Sequence, residues 1–194
     1  VLLIKPSALG DVVTAMPVLR GLKRSFPEAS VSWLVRDTCA PLIRHDSQLD
    51  EVVIFPRRRL GRWWRSASGA GELARFCRRL AAGRYDWVID LQGLFRSGLF
   101  AAASRAPLRA GFADARELAP IWYTLRYRPR RLHTVERNIA LARRLGIDAR
   151  ADDMRLEVSP AGGRFAGGFC RAGGMSPGEY VICAVGTTWP TKSY

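Results

Sequence analysis

The sequence has 194 residues, of which 48% are hydrophobic, and it carries a formal net charge of +14. This is an ordinary globular composition with enough apolar residues for a substantial core, and no apolar run approaches the roughly 20 residues that a membrane-spanning helix needs. The positive charge is almost all arginine, since lysine occurs only at Lys5, Lys23 and Lys192. Arginine suits phosphate and carboxylate, so the charge indicates a polyanionic partner such as nucleic acid, acidic lipid or a phosphorylated saccharide. A solvated, arginine-rich surface is the alternative.

The cysteines indicate the cellular compartment of the protein, and the chain ends bear on whether the sequence is complete. The four cysteines are widely spaced without a C-x-x-C pair: Cys39, Cys77, Cys170 and Cys183. This spacing argues against a zinc site or a disulfide framework and favours reduced thiols in the cytoplasm. No charged and apolar leader precedes the first strand, so nothing indicates export. Because the sequence opens at Val1 and stops at Tyr194 soon after a strand-like segment, we expect it to be a fragment.

Short apolar runs alternate with amphipathic segments along the chain. Strands are predicted at residues 1–5, 31–35, 52–55, 87–91 and 108–112, and helices at 10–22, 39–44, 72–82, 95–104 and 133–145. Apolar strands separated by helices predict an α/β fold with a doubly wound parallel sheet. In such sheets ligands bind beyond the carboxyl ends of the strands, at the first strand-to-helix turn. Residues 6–11 are therefore expected at the site.

A second unit is predicted near the end of the chain. Gly146 is a plausible cap for the helix before it, and the glycine-rich residues 161–174 begin as a helix that leads out of a linker. Residues 180–185 then predict a buried strand, followed by a Gly-Thr-Thr turn. We therefore divide the chain into a domain over residues 1–158 and, over residues 159–194, a linker with the truncated start of a second α/β domain.

A basic segment interrupts the alternation at residues 56–70. It places five arginines around Trp63 and Trp64 and is predicted to form a long exposed loop. The arginines could bind acidic groups of a ligand or form a solvated run of charge. The tryptophans could lie at a bilayer interface or pack the loop against the protein.

The first turn, residues 5–11, lacks the glycines of a dinucleotide-binding fingerprint and the ending of a phosphate-binding P-loop. A dehydrogenase built on the same sheet is therefore disfavoured. The turn does offer Asp11 at a helix start facing the expected crevice. This carboxylate could stabilise the helix as a cap, or it could act as a general base that takes a proton from an acceptor hydroxyl.

Several segments together resemble one enzyme family. They are K-P-S-x-L-G-D-V at residues 5–12, P-V-L-R at 17–20, V-S-W-L-V at 31–35, Y-D-x-V-I-D-L-Q-G-L at 85–94, A-R-E at 115–117 and H-x-x-E-R at 133–137. This combination is similar to the ADP-heptose:lipopolysaccharide heptosyltransferases, glycosyltransferase family 9. The resemblance is closest to the type I members, which add the first heptose to the Kdo sugar of the inner core. The type II members remain an alternative.

The resemblance implies a GT-B architecture, in which a Rossmann-like acceptor-binding domain, here residues 1–158, faces a Rossmann-like donor-binding domain that residues 159–194 only begin. It implies an inverting reaction without metal or cofactor, with ADP-heptose as donor and Kdo-lipid A as acceptor. Asp11 aligns with the family's catalytic base. Because the adenine and heptose pockets lie outside the sequence, we expect this chain alone to be inactive.

The resemblance also assigns binding residues. Those expected at the acceptor are Lys5, Ser7, Gly10, Arg57, Arg58, Arg59, Arg62, Gln92, Arg116 and His133. Those expected at the donor pyrophosphate are Thr187, Thr188 and Lys192. Two alternatives stay open: His133 could be structural, and Asp90, expected with Gln92 at the crevice, could cap the next helix.

The expected location is the cytoplasmic face of the inner membrane, with peripheral attachment to its anionic surface. A basic nucleic-acid-binding module is the alternative from a different class of protein, but no recognised nucleic-acid motif supports it and no nucleic-acid partner is expected. The two functions separate by experiment. Nonspecific nucleic-acid binding would fall steeply with salt and ignore Kdo, whereas acceptor binding would require it.

Overall fold

The structure is a computed structural model and describes residues 1–56, 67–130, 133–176 and 178–183. The chain divides into two units, Val1–Glu157 and Val158–Tyr194. The first unit contains the sheet and the helices that cover it. The second unit contains one described helix.

A parallel sheet organises the first unit. Its six strands within the described residues are β1 (Leu2–Ile4), β2 (Ser32–Arg36), β3 (Glu51–Phe55), β4 (Trp87–Asp90), β5 (Leu108–Phe112) and β6 (Leu125–Tyr127). Their order is β3-β2-β1-β4-β5-β6, and every neighbouring pair is parallel. The chain first builds outward on one side of β1 and then on the other, so the order reverses between β1 and β4. This reversal point is where doubly wound sheets open a crevice for ligands.

Helices cover both faces of the sheet. They are α1 (Leu9–Val13), α2 (Met16–Ser25), α3 (Ala67–Ala82), α4 (Phe95–Ala103) and α5 (Thr134–Arg144), with 3-10 turns at Ala40–Leu42, Ala119–Trp122 and Ala151–Asp153. Leu3 of β1 packs in a core with α2 and α5, whereas Leu2 and Ile4 pack in a second core with α3 and α4. Alternate side chains of this buried strand therefore pack in opposite cores. The predicted α/β, doubly wound fold is confirmed.

Three predictions about individual elements were wrong. The loop expected over residues 56–70 is helical from Ala67 onward. The helix expected over 39–44 is only a 3-10 turn, and the helix expected from Gly10 onward is two helices that break at Thr14 and Ala15. Pro17 explains the break, because proline lacks a backbone donor and belongs in the first turn of a helix. The short edge strand β6 was not predicted, since three partly exposed residues carry too little pattern.

The second unit contains helix α6 (Pro160–Ala172), close to the predicted position. The Ser159 hydroxyl caps it by accepting a hydrogen bond from the Gly162 amide at 3.0 Å. The strand predicted over residues 180–185 is absent from its described part, residues 180–183, where Val181 and Ile182 are largely exposed. A strand needs a neighbour to pair with, and the described residues of this unit offer none. Across the described ranges of both units, no helix has the length and apolarity needed to cross a membrane.

Candidate active site

A cavity of about 560 Å³ lies at the reversal point, above the carboxyl ends of β1, β4 and β5. We call it the main crevice. Its charged lining side chains are Lys5, Asp11, Asp114, Arg116 and Arg137. The turn after β1 and the turn after β4 form facing walls, and the start of α5 contributes a third side. Polar and charged groups of both signs suit a ligand that carries hydroxyls and an acidic group.

Asp11 lies in the first turn of α1, and its side chain is 42% exposed. Its Oδ2 accepts a hydrogen bond from the Ala8 amide at 3.0 Å, so the residue does cap the helix. Its Oδ1 accepts no hydrogen bond within the described residues and lies 3.9 Å from the Lys5 ammonium. One oxygen therefore fixes the side chain, while the other remains able to receive a proton from a ligand in the main crevice.

Lys5 directly follows β1 and is only 4% exposed. Its ammonium donates a hydrogen bond to the Leu91 carbonyl at 2.9 Å, which ties the end of β1 to the end of β4. Burial lowers the pKa of Lys5 from its usual value, and the negative charges of Asp11 and Asp90 oppose that shift. Lys5 thus holds the two walls together and places a cation beside the Asp11 carboxylate.

Asp90 ends β4 and is completely buried, so it lines neither cavity at this edge. Its carboxylate accepts hydrogen bonds from the Tyr123 hydroxyl at 2.6 Å and from the amides of Gln92 at 2.9 Å and Gly93 at 3.2 Å. Burial raises the pKa of the Asp90 carboxyl, and these hydrogen bonds oppose the rise. The expectation that Asp90 faces the crevice was wrong, because its role is to fold the turn that carries Gln92.

The turn after β4 needs glycine. Gly93 has a φ of +68°, and a Cβ placed there would lie 3.1 Å from the Ala115 Cβ. A side chain would be strained by the left-handed backbone and would crowd the segment that carries Arg116. The Gly93 carbonyl also accepts a hydrogen bond from the Arg116 amide at 3.0 Å. The Gly93 turn therefore couples two walls of the main crevice.

Arg137 was missing from the expected site residues. It lies in the first turns of α5, pairs through both terminal nitrogens with Asp114 at 2.9 and 3.0 Å, and lies 4.8 Å over the Phe112 ring. It lines the main crevice and is close enough to Lys5 to help lower the pKa of that lysine. Arg137 is the last residue of the H-x-x-E-R segment at residues 133–137. Its position one helical turn after His133, which was expected at the acceptor, was the available signal in the sequence.

The other expected acceptor residues fall in different places. Gln92 and Arg116 line the main crevice, while Ser7 lines a neighbouring cavity. His133 caps α5: its amide donates to the Glu136 carboxylate at 3.1 Å. His133 itself lines neither cavity, whereas the next residue, Thr134, lines the main crevice. Gly10 lines neither cavity, and a Cβ placed there would meet no atom within 4 Å.

The remaining expected site residues lie outside the described residues. These are the acceptor candidates Arg57, Arg58, Arg59 and Arg62 and the donor candidates Thr187, Thr188 and Lys192. Trp63 and Trp64 of the basic segment lie outside as well.

A smaller cavity of about 260 Å³ lies on the other side of the Gln92 turn. We call it the side cavity. The turn after β1, the ends of β2 and β3 and the first turns of α4 line it. Gln92 and Leu94 line both cavities, so a ligand in one lies next to a ligand in the other.

Some arginines outside the two cavities form ion pairs. Arg20 pairs with Asp46, Arg24 with Asp153, and Arg150 with Asp148. These pairs neutralise part of the arginine charge of the first unit locally.

Comparison with known proteins assigns the chain to one family. The sequence pattern of glycosyltransferase family 9 (heptosyltransferase) matches residues 73–194. The lipopolysaccharide heptosyltransferase 1 of Salmonella typhimurium is 33% identical over 76% of this chain and 48% of the relative. The Pseudomonas aeruginosa protein of the same name is 32% identical over 100% of this chain and 54% of the relative.

A solved structure agrees. The structure of the E. coli heptosyltransferase WaaC with ADP-2-deoxy-2-fluoro heptose superposes with a TM-score of 0.68 at 29% identity, over 77% of this chain and 49% of that protein. The chain thus spans about half the length of the relatives that it matches. On the match over residues 73–194, the chain belongs to glycosyltransferase family 9, the heptosyltransferases.

Proposed function

We propose that the complete protein is an inverting glycosyltransferase that moves L-glycero-D-manno-heptose from ADP-heptose to the Kdo region of the lipopolysaccharide inner core. Residues 1–158 form the acceptor-binding domain, and residues 159–194 are the linker and the start of the donor-binding domain. The observation that carries the proposal is the Asp11 carboxylate: one oxygen is fixed by the Ala8 amide, and the other is free at the main crevice.

The geometry supports a single displacement. An acceptor hydroxyl in the main crevice donates its proton to Asp11 Oδ1 while its oxygen bonds to the anomeric carbon of the heptose. The bond from that carbon to ADP breaks on the opposite face, and ADP leaves with the electron pair, so the configuration inverts. Lys5 positions Asp11 through the Leu91 carbonyl and the adjacent ammonium charge. Thr187, Thr188 and Lys192 are assigned to the departing pyrophosphate.

The acceptor's acidic sugar is assigned to the arginine side of the main crevice. Arg116 is exposed there and forms no ion pair among the described residues. Arg137 is paired with Asp114, so it offers a second, weaker cation. A sugar carboxylate at Arg116 leaves the neighbouring hydroxyls of the same sugar facing Asp11. Arg57, Arg58, Arg59 and Arg62 are assigned to further acidic groups of the acceptor.

The heptosyltransferase 1 step is favoured over the heptosyltransferase 2 step, because the relatives that match at 33% and 32% identity carry the former name. The experiment measures ADP release by the complete protein with ADP-heptose and either Kdo-lipid A or an acceptor that already carries one heptose. Release with Kdo-lipid A supports the proposal. Release only with the heptosylated acceptor moves the protein to the second step, and release with neither contradicts the proposed function.

Peripheral attachment to the cytoplasmic face of the inner membrane is part of the proposal. Apolar side chains are exposed near the side cavity, with Leu118 70%, Ile121 56% and Phe95 41% exposed. We expect the complete protein to cosediment with vesicles that contain phosphatidylglycerol and to do so less after Leu118→Asp. Equal sedimentation with neutral vesicles contradicts the attachment.

A further inference from the structure

A buried asparagine connects α5 with the break between α1 and α2. Asn138 is only 1% exposed, and the other buried residues of its helix are apolar, namely Ile139, Leu141 and Ala142. Its side-chain amide donates a hydrogen bond to the Thr14 carbonyl at 3.0 Å, and the same nitrogen lies 3.5 Å from the Thr14 hydroxyl oxygen. A buried amide costs free energy unless it is hydrogen-bonded, so the contact with Thr14 stabilises a polar side chain among apolar neighbours.

The helix break leaves the Thr14 carbonyl without a backbone partner. In a continuous helix this carbonyl would accept from the amide four residues later, which belongs to Val18. The Val18 amide instead donates to the Ala15 carbonyl at 3.0 Å, because a new helix begins at Met16. Among the described residues, Asn138 is the donor to the Thr14 carbonyl. Asn138 thus replaces a hydrogen bond that the backbone does not supply here.

Thr14 in turn holds the backbone of the candidate base. Its hydroxyl donates a hydrogen bond to the Asp11 carbonyl at 2.8 Å, while the Asp11 side chain accepts one from the Ala8 amide at the other end of α1. Because α1 has only five residues, it has no stability of its own in water, and contacts with the rest of the protein set its orientation. Asp11 is therefore held relative to α5 through Thr14 and Asn138.

Helix α5 also belongs to the arginine side of the main crevice. Arg137, the residue before Asn138, lines this cavity, and so do Asn138 and Asp11. Apolar packing between helices is not directional, whereas a hydrogen bond of 3.0 Å defines one register between the two elements. The same turn of α5 thus carries a cation proposed for the acceptor and the contact that holds the base.

We propose that Asn138 is a positioning residue, which sets the distance between the arginine side of the main crevice and Asp11 Oδ1 by holding α1 through Thr14. An acceptor bound by its acidic group then presents its hydroxyl at a fixed distance from Asp11. A shift of α1 along α5 moves Oδ1 away from that hydroxyl but leaves the arginines in place. Loss of the contact therefore slows proton transfer more than it weakens acceptor binding. This inference rests on the proposed function.

The test measures kcat and the acceptor KM for ADP release by the complete protein with Kdo-lipid A. Asn138→Leu removes the donor, and leucine has a similar volume and joins the apolar core beside α5, so the chain still folds. We expect kcat to fall about 10–100-fold with KM nearly unchanged, as for a misplaced catalytic group. A rise in KM at native kcat means that Asn138 contacts the acceptor directly, and native values of both mean a purely structural role. Either result overturns the proposal.

Variants of Thr14 test the second link. Thr14→Val removes the hydroxyl and should lower kcat, whereas Thr14→Ser keeps the hydroxyl and should retain native kcat. Thr124→Val is the matched control, because the Thr124 hydroxyl also makes a hydrogen bond, accepted from the Arg109 amide at 2.8 Å, and neither threonine lines a cavity. We expect native kcat in the control. Equal losses in Thr14→Val and Thr124→Val contradict the proposal.

Hydrogen exchange separates this inference from the proposed function. In the complete protein without ligands, the Val12 and Thr14 amides report on α1, because each donates a hydrogen bond of 3.0 Å that closes this helix. We expect them to exchange about fivefold faster in Asn138→Leu, as for loss of one hydrogen bond, and at the native rate in Thr124→Val. Unchanged exchange in Asn138→Leu overturns the positioning role. If the native protein releases no ADP with any acceptor, the proposed function fails, and the exchange result still decides whether Asn138 holds α1.

Discussion

The Tyr123 hydroxyl provides the most direct test of how the crevice is built. It donates a 2.6 Å hydrogen bond to the buried Asp90 carboxylate, which in turn holds the amides of Gln92 and Gly93. Tyr123→Phe removes only this oxygen and retains the ring, which packs against Gly111. A hydrogen bond to a buried charge contributes about 1.5–3 kcal/mol, so we expect the free energy of unfolding to fall by that amount.

The assay is urea unfolding followed by far-ultraviolet circular dichroism. With a slope of about 2 kcal/mol per molar urea, a loss of about 2 kcal/mol lowers the midpoint by about 1 M. Tyr127→Phe is the matched control: it removes the same atom from a partly buried tyrosine of strand β6, for whose hydroxyl no hydrogen bond occurs among the described residues. We expect it to cost less than about 0.5 kcal/mol. Equal costs for the two variants would refute the assigned role of the Tyr123–Asp90 hydrogen bond.

Two further predictions concern the same turn. Burial raises the pKa of Asp90 in the folded protein, so the folded state binds the proton more tightly, and this residue's contribution to stability falls as pH rises from about 4 through the folded pKa. The difference in urea midpoint between Asp90→Asn and the native protein should therefore change over this range, and a constant difference would contradict the shift. Gly93→Ala should cost about 1–2 kcal/mol because of its positive φ and the 3.1 Å contact. Gly10→Ala is the control: the added Cβ meets no neighbour within 4 Å, so the variant should be neutral or stabilise the chain by up to about 1 kcal/mol. Equal changes in melting temperature for Gly93→Ala and Gly10→Ala would contradict this predicted difference.

The sequence was informative where a residue's environment follows from its position along a strand or helix. The apolar runs predicted strands β1 to β5 near their observed bounds, because residues such as Leu3 and Ile89 lie in buried runs that do not alternate with polar residues. The position of the turn after β1 follows from the parallel fold itself, so Asp11 was expected at the crevice, whereas Lys5 was expected there only from the family resemblance. The helix break before Pro17 could in principle be predicted from the sequence, since proline starts helices far more readily than it continues them.

The remaining features depend on contacts between distant segments. Asp90 looked like a crevice residue, but the Tyr123 hydroxyl, 33 positions away, covers it. Asn138 gave no signal in the sequence, because its contact with Thr14 joins residues 124 positions apart. Arg137 was visible in a motif, yet its role at the crevice depends on the pairing with Asp114 across a loop. Periodicity cannot supply such long-range contacts.

The central claim is that Asp11 is the catalytic base. The most direct measurement is kcat/KM for ADP release by the complete protein, with Asp11→Asn compared with Asp152→Asn, an identical change at an exposed residue that lines neither cavity. Asparagine can still cap α1, so the fold should survive. We predict a loss of about 10²–10⁴-fold in Asp11→Asn, the usual contribution of a general base, and native activity in Asp152→Asn. If Asp11→Asn keeps native activity under the same conditions, Asp11 is not the base.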